Sequence, residues 1–149
     1  MKLFFMFLLF LFLTSCSDDE DNRPVSDCGP YIEILSSTDG LDPGDAFALA
    51  DISTEGTCLS IEVSATGCNP DDWTAELVTD GAVAESIPTQ TNARFILDRQ
   101  LPDGASICQA IAFKTFTFDL SDYLTPGALP SNLRLVGPAD TARVILFEE

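Results

Sequence analysis

The feature that most constrains the fold of this chain is an alternation of apolar and polar residues with a period of two. Leu59, Ile61 and Val63 alternate with serine and glutamate, which is the pattern of a β-strand with one buried face. Short runs rich in strand-favouring residues occur at 31–35, 73–78, 94–97, 133–136 and 142–147. No stretch predicts a long amphipathic helix, and residues 45–52 offer a helical turn or two at most.

Turn signals separate these runs and indicate how the strands are connected. Asp80-Gly81 is the strongest hairpin candidate, because glycine supplies the positive φ that a tight turn requires. Many short strands at this spacing predict an all-β fold, an antiparallel immunoglobulin-like β-sandwich of about 7–9 strands. We expect this single domain to span residues 28–149.

The longest apolar stretch changes parity part-way along. Ile111 and Phe113 share one parity, whereas Phe118 and Leu120 share the other. A change of this kind predicts either a β-bulge or bend, or a strand that is buried on both faces. Lys114 lies at the changeover, where we expect it to reach solvent.

The first fifteen residues have the order of a secretory signal. Lys2 gives a positive end, residues 3–13 are wholly apolar, and small or hydroxylated residues precede Cys16. Eleven residues rise only about 16 Å as a helix, too little for a hydrocarbon layer of roughly 30 Å. Because 13–16 (LTSC) resembles the bacterial lipobox, we expect cleavage after residue 15 and lipidation of Cys16, whereas an ordinary signal peptide would leave Cys16 incidental.

An acidic run follows Cys16 directly and defines a tether at 16–27. Residues 17–22 (SDDEDN) contain no apolar side chain, so we expect this run to stay disordered. A solvated linker would account for it. The run also resembles the export signal of surface-exposed lipoproteins in Bacteroidetes-type bacteria, which implies an outer-membrane anchor facing the exterior, with a periplasm-facing anchor as the alternative.

The remaining cysteines predict two disulfides. The chain has five cysteines, and assigning Cys16 to lipid leaves an even set of Cys28, Cys58, Cys68 and Cys108. A zinc site is disfavoured, because there is no C-x-x-C pair and no histidine. Three pairings are possible, and we favour Cys68–Cys108 with Cys28–Cys58, which would clip a turn to the long strand and pin the N-terminal strand to its neighbour.

The charge of the chain excludes one class of partner. The formal net charge is −17, and removal of residues 1–15 makes it more negative because Lys2 is removed with them. Such an acidic surface repels phosphate, so we expect no nucleic-acid partner and no membrane contact except through the N-terminal lipid.

Four segments together resemble a family of small, uncharacterised Bacteroidetes surface lipoproteins. They are a strand ending in Gly-Cys at 59–68, a Ser-x-Pro-x-Gln stretch at 85–90, a second cysteine region at 103–110 and a Phe-x-Leu strand at 116–120. The resemblance covers roughly residues 58–123, and it implies a β-sandwich and a Cys68–Cys108 bond. It brings no established activity, and residues 71–73 stand where the family is expected to have a histidine.

Candidate chemistry is sparse. The absence of histidine removes every Ser-His or Cys-His dyad, so an enzyme would have to use a carboxylate pair. Asp39, Asp42 and Asp45 lie among glycines and are weak candidates for calcium, but they lack EF-hand spacing, and a solvated turn is the favoured explanation. We expect no cofactor.

Three further side chains have alternative interpretations. Trp73, the single tryptophan, either packs in the core or is an exposed anchor for a sugar or protein ligand. Arg94 and Arg99 flank an apolar run, and we expect them to be edge charges that discourage association between sheets.

These observations favour a non-catalytic binding or accessory module with a protein or glycan ligand at the cell surface. The alternatives are a carboxylate-dependent hydrolase component and an inhibitor or immunity-type protein. Facing carboxylates in a cleft would favour the hydrolase, whereas a protruding loop near Trp73 would favour binding or inhibition.

Overall fold

A computed structural model describes residues 25–101, 108–138 and 141–148 of the chain. Cys16 and the acidic run at 17–22 lie outside these residues. The strands are β1 (Val25–Ser26), β2 (Gly29–Pro30), β3 (Glu33–Ile34), β4 (Ala48–Glu55), β5 (Cys58–Thr66), β6 (Thr74–Thr79), β7 (Val83–Ala84), β8 (Thr89–Asp98), β9 (Ile111–Asp119), β10 (Ser131–Val136) and β11 (Ala142–Phe147). Within the described ranges, no helix has the length and hydropathy that crossing a bilayer would require.

The strands form two facing sheets and a small ribbon. One sheet has the order β11-β10-β8-β6-β3, with β7 added beside β8, and the other has the order β4-β5-β9. The β1–β2 ribbon lies against β9. The predicted all-β sandwich is confirmed, but the larger sheet is mixed, because β10 pairs with β8 and β3 with β6 in parallel.

The core lies between the two sheets and is built by alternating positions. Leu59, Ile61 and Val63 of β5 are fully buried, as the period of two predicts. They face Phe95 and Leu97 of β8 in one cluster that also takes in β10. Each such side chain contributes roughly 1.5–3 kcal/mol by its burial.

Residues 45–52 do not form the helical turn that the sequence suggests. Most of this segment belongs to β4, which pairs with β5 in antiparallel register. The connection is a two-residue turn at Gly56-Thr57, in which Glu55 faces Cys58 and Gly56 has a φ of 58°. Positive φ at Gly56 is what a tight hairpin turn requires.

The predicted hairpin at Asp80-Gly81 is wrong. Gly81 does have a positive φ of 71°, but β6 and β7 both pair antiparallel with β8. The two strands therefore run in the same direction along one side of β8, and Asp80-Gly81 interrupts this path without reversing it.

Neither of the two predicted explanations accounts for the change of parity in β9. β9 pairs with β5 in unbroken register from Cys58↔Asp119 to Thr66↔Ile111, so there is no bulge. Ile111 and Phe113 are 68% and 55% exposed, so the strand is not buried on both faces. Lys114 is half-buried, and its Nζ donates to backbone oxygens 2.7 and 2.8 Å away at the end of the opposite sheet.

Both disulfides form with the favoured pairing. Cys28, between β1 and β2, is joined to Cys58 at the start of β5. Cys68, just after β5, is joined to Cys108, which precedes β9. Each pair has a Cα–Cα distance of 5.6 Å. One bond therefore holds the N-terminal ribbon, and the other closes one end of the smaller sheet.

Candidate functional site

The strongest candidate site is the outer surface of the larger sheet where β8, β10 and β11 lie side by side. Alternation buries Ala93, Phe95, Leu133 and Leu135, so the intervening side chains point away from the core. We call this surface the arginine–amide face. It comprises Gln90, Asn92, Arg94, Asn132, Arg134, Val136, Ala142, Val144 and Leu146.

The strand register arranges this face in rows. Arg134 lies between Asn92 on β8 and Val144 on β11. The next row places Asn132 beside Gln90. Neighbouring strands are about 4.8 Å apart, so the planar amides and the guanidinium group form one continuous surface of hydrogen-bonding groups.

Two shallow depressions meet on the arginine–amide face. The larger, of about 450 Å³, is lined by Gln90, Asn132 and the short strand β7. The smaller, of about 270 Å³, is lined by Arg94, Val136 and the border residue Asp80. Asn92 and Arg134 line both depressions, so they stand at the centre of the site.

The electrostatics of this face differ from those of the whole chain. None of its nine outward residues is acidic, in a chain of 24 acids and seven bases. Within the part of the chain that the structure describes, neither Arg94 nor Arg134 forms an ion pair. Asp80 at the border accepts a hydrogen bond from the Ala82 amide at 3.0 Å. The face is therefore a positive surface on a strongly negative protein.

The chemistry of these groups suits an anion. A guanidinium group offers planar, paired donors that match a carboxylate, and amide side chains add further donors and acceptors. Val144 and Leu146 are 66% and 46% exposed at one margin of the face, where they offer apolar contact. The arrangement can hold an anionic ligand, but it contains no nucleophile paired with a base.

Trp73 is not the ligand anchor that the sequence left possible. It is 3% exposed and belongs to the core cluster. It packs so closely on Gly67 that a Cβ at that position would come within 3.0 Å of the indole ring. The core interpretation of Trp73 is confirmed.

Arg94 and Arg99 are not edge charges. Arg94 lies on β8, which is flanked by β10 and β6 in the interior of its sheet. Arg99 follows β8, and its Nη2 forms an ion pair with Asp45 Oδ1 at 3.0 Å. The prediction that both arginines are edge charges is therefore wrong, because the sequence pattern does not show which strands lie at the edges of a sheet.

The three calcium candidates do not converge. Asp45 is engaged by Arg99, whose side-chain hydrogen bond lowers the pKa of that carboxyl against the opposing effect of burial. Asp42 Oδ1 accepts the Gly44 amide at 2.9 Å, and Asp39 lies in an exposed turn. Among the residues that the structure places, no group of three metal-ligating side chains comes together.

A third depression, separate from the arginine–amide face, is acidic. It has a volume of about 370 Å³, and Asp42, Asp45, Glu76 and Asp98 are among its lining residues. Asp98 accepts two hydrogen bonds of 2.7 Å from Gln100. A general acid requires a raised pKa, whereas Arg99 lowers the pKa of Asp45.

Comparison with one solved structure supports the fold. No family model and no curated protein matches the chain. A protein described as toxin-related from Parabacteroides distasonis is similar in structure, with 12% identity, a TM-score of 0.51, and coverage of 80% of this chain and 62% of that one. A DUF1344 protein of unknown function from Bacteroides vulgatus matches at 11% identity and a TM-score of 0.48, with coverage of 71% and 49%. This chain thus spans less than two thirds of either protein.

The sequence contained a signal for the arginine–amide face. In the runs at 94–97, 133–136 and 142–147 there is no aspartate or glutamate, although acids are frequent elsewhere. Sequence alone does not show that these runs share one surface. The parallel pairing of β8 with β10 brings them together.

Proposed function

We propose that this protein is a lipid-anchored, outer-membrane binding module that faces the exterior and takes an anionic ligand on its arginine–amide face. One observation carries the proposal. Arg94 and Arg134 have no ion-pair partner among the described residues, and they lie beside three amide side chains on a surface that contains no outward-facing acid. Carboxylate or sulfate groups are the ligands that such donors recognise.

The position of the face is consistent with an anchor at Cys16. The described chain begins at the β1–β2 ribbon, which lies against β9, and the Tyr31 bridge to Asp119 continues this contact. β11 lies at the other margin of the sandwich, beside β4. A lipid attached ahead of β1 would therefore leave the arginine–amide face accessible from outside.

The acidic depression supports one second candidate, a carboxylate-dependent hydrolase. Besides Asp45, which is paired with Arg99, the acids in its lining are Asp42, Glu76 and Asp98. If this candidate is correct, Asp98→Asn abolishes hydrolysis of a mixed polysaccharide substrate. If the binding module is correct, neither the wild-type protein nor Asp98→Asn shows turnover.

The experiment that tests the binding proposal compares two charge-matched variants. Wild type, Arg94→Gln/Arg134→Gln and Ser53→Glu/Thr115→Glu are applied to immobilised poly-L-glutamate, polygalacturonate and neutral dextran. Both variants make the net charge more negative by the same amount, but Ser53 and Thr115 lie on the outer surface of the smaller sheet.

We expect the wild type to bind at least one anionic polymer and not dextran. The arginine variant should bind about tenfold more weakly, equivalent to about 1.4 kcal/mol, while the control keeps wild-type affinity. The two anionic polymers distinguish a polypeptide from a polysaccharide ligand. Equal losses in both variants would contradict a specific face, as would no binding by the wild type.

A further inference from the structure

Among the described residues, the outer margins of the two sheets are not equally protected against strand pairing. An unpaired edge strand is a template for another chain, and proteins usually block it with bulges, inward charges or short length. β4 has a register shift between Leu49 and Asp51, and β9 turns Lys114 inward to the Trp73 carbonyl. β3 is only two residues long.

β11 has only the weakest of these devices. It has no bulge and is not short, and its one charge on the inward side, Arg143, is exposed and forms no ion pair among the described residues. Its six residues pair with β10 in unbroken register and include neither proline nor glycine. Val144 and Leu146 are exposed on its outer side, and its only charge is Arg143. Backbone donors and acceptors on the free side of β11 are therefore available to an added strand.

A groove runs along the same edge, between β11 and β4. It has a volume of about 360 Å³, and its lining includes the partly buried side chains of Leu49, Ile52 and Ile145. Arg143 is exposed beside it. A strand added to β11 would direct every second side chain toward this groove, and the alternate ones would continue the arginine–amide face.

We propose that an extended segment of a partner protein adds to β11 as a further strand, with apolar side chains in the groove and acidic side chains alternating with them. This proposal rests on the proposed binding function and specifies its ligand as a polypeptide. Pairing through main-chain hydrogen bonds supplies affinity in such complexes, and pockets for alternate side chains supply specificity.

The charge of the chain favours a segment of a partner protein over a second copy of the chain as the strand that adds to β11. Each copy has a formal net charge of −17, so the association of two copies brings together like charges. An acidic segment whose carboxylates lie on the outer side of the sheet instead meets Arg134 on the neighbouring strand β10, where Arg134 is paired with Val144 of β11. The complementary occupant is therefore an acidic and apolar segment of another protein.

The test uses two pools of blocked nonapeptides, one alternating aliphatic with acidic residues and the other alternating aliphatic with basic residues. Binding is measured for the full-length wild type, for Val144→Glu, for Ile111→Glu and for Arg94→Gln/Arg134→Gln. The two substituted residues have almost the same exposure, 66% and 68%, but Ile111 lies on the opposite sheet. Amide hydrogen exchange across 142–147 is then measured with and without the acidic pool.

We expect the acidic pool to bind at least about tenfold more tightly than the basic pool, and Val144→Glu to lose this binding by about tenfold while Ile111→Glu keeps it. Amides of β11 should exchange more slowly in the complex. Binding that depends on Arg94 and Arg134 but leaves β11 exchange unchanged would overturn strand addition and retain the proposed function. Failure of the acidic pool to bind, or a wild-type dimer that Val144→Glu dissociates, would also overturn it.

Discussion

Arg99 and Asp45 form an ion pair that joins three separate segments of the sandwich. Arg99 Nη2 lies 3.0 Å from Asp45 Oδ1, and the Arg99 amide donates to Asp45 Oδ2 at 2.8 Å. Asp45 in turn donates its amide to Leu97 O, and Arg99 Nη1 donates to Thr66 O at 2.9 Å. The loop before β4 is thus fixed to the ends of β8 and β5.

The first prediction concerns this ion pair. Arg99→Gln removes the charged partner of a partly buried carboxylate, so we expect a loss of about 1.5–3 kcal/mol in the free energy of unfolding. Urea unfolding monitored by circular dichroism measures it. Arg143→Gln is the control, because Arg143 is exposed and forms no ion pair among the described residues. Equal stability of the two variants would contradict the role given to Arg99.

The second prediction concerns acid. The pKa of Asp45 is lowered mainly by the Arg99 hydrogen bond. For Asp119, burial raises the pKa, but hydrogen bonds from Ser26, Ser121 and Thr57 together outweigh it and leave the pKa lowered. Both carboxyls bind protons more weakly in the folded state than in the unfolded state. The stability that they contribute to the folded protein is therefore complete above the usual aspartate pKa of about 3.9, and it is lost as the pH falls toward the folded-state pKa values.

This acid dependence is measured as the free energy of unfolding between neutral and strongly acidic pH. We expect the free energy of unfolding of the wild type to decrease as the pH falls below about 4. The Asp45→Asn variant should have a lower free energy of unfolding at neutral pH and a smaller decrease in acid. A wild-type profile and an Asp45→Asn profile that run parallel would show that Asp45 makes no such contribution.

The third prediction concerns the disulfides. Each bond closes a long loop, with separations of 30 residues for Cys28–Cys58 and 40 for Cys68–Cys108. Cys28→Ser/Cys58→Ser and Cys68→Ser/Cys108→Ser should each destabilise the protein by about 2–4 kcal/mol in denaturant unfolding. Stability unchanged in either double variant would mean that the corresponding bond constrains little in the unfolded chain.

The fourth prediction concerns the anchor. In cells supplied with labelled palmitate, we expect the wild type to incorporate label and to be removed from intact cells by added protease. Cys16→Ser should incorporate none and should be released from the membrane fraction, because stable anchoring depends on the acyl chains. Label in the variant would contradict lipidation at Cys16, and protection of the wild type from protease would contradict surface exposure.

Strands with strict alternation were predictable from the sequence, whereas β4 was not. Leu49 and Ile52 are three residues apart, a spacing that suggests a helix, yet both face inward because the register shift between Leu49 and Asp51 resets the parity. β5 has no such shift, so Leu59, Ile61 and Val63 revealed it directly. The alternation of apolar and polar residues therefore predicts a strand reliably where that strand contains no register shift.

Non-local pairing explains what the sequence could not give. The positive φ at Gly81 was predictable, but whether β6 and β7 form a hairpin depends on β8 pairing with both. The same limit applies to the candidate site. Arg94 and Arg134 are 40 positions apart in the chain, and only the parallel β8–β10 pairing places them on one surface.

The most direct measurement of the central claim is a titration of ¹⁵N-labelled protein with poly-L-glutamate, with backbone amide shifts recorded for each residue. We predict that the largest changes centre on Asn92 and Arg134, spread to Arg94 and Asn132, and disappear in Arg94→Gln/Arg134→Gln. Shifts centred on the outer surface of the smaller sheet around Phe113, or no shifts at saturating polymer, would contradict the assignment of the arginine–amide face as the binding site.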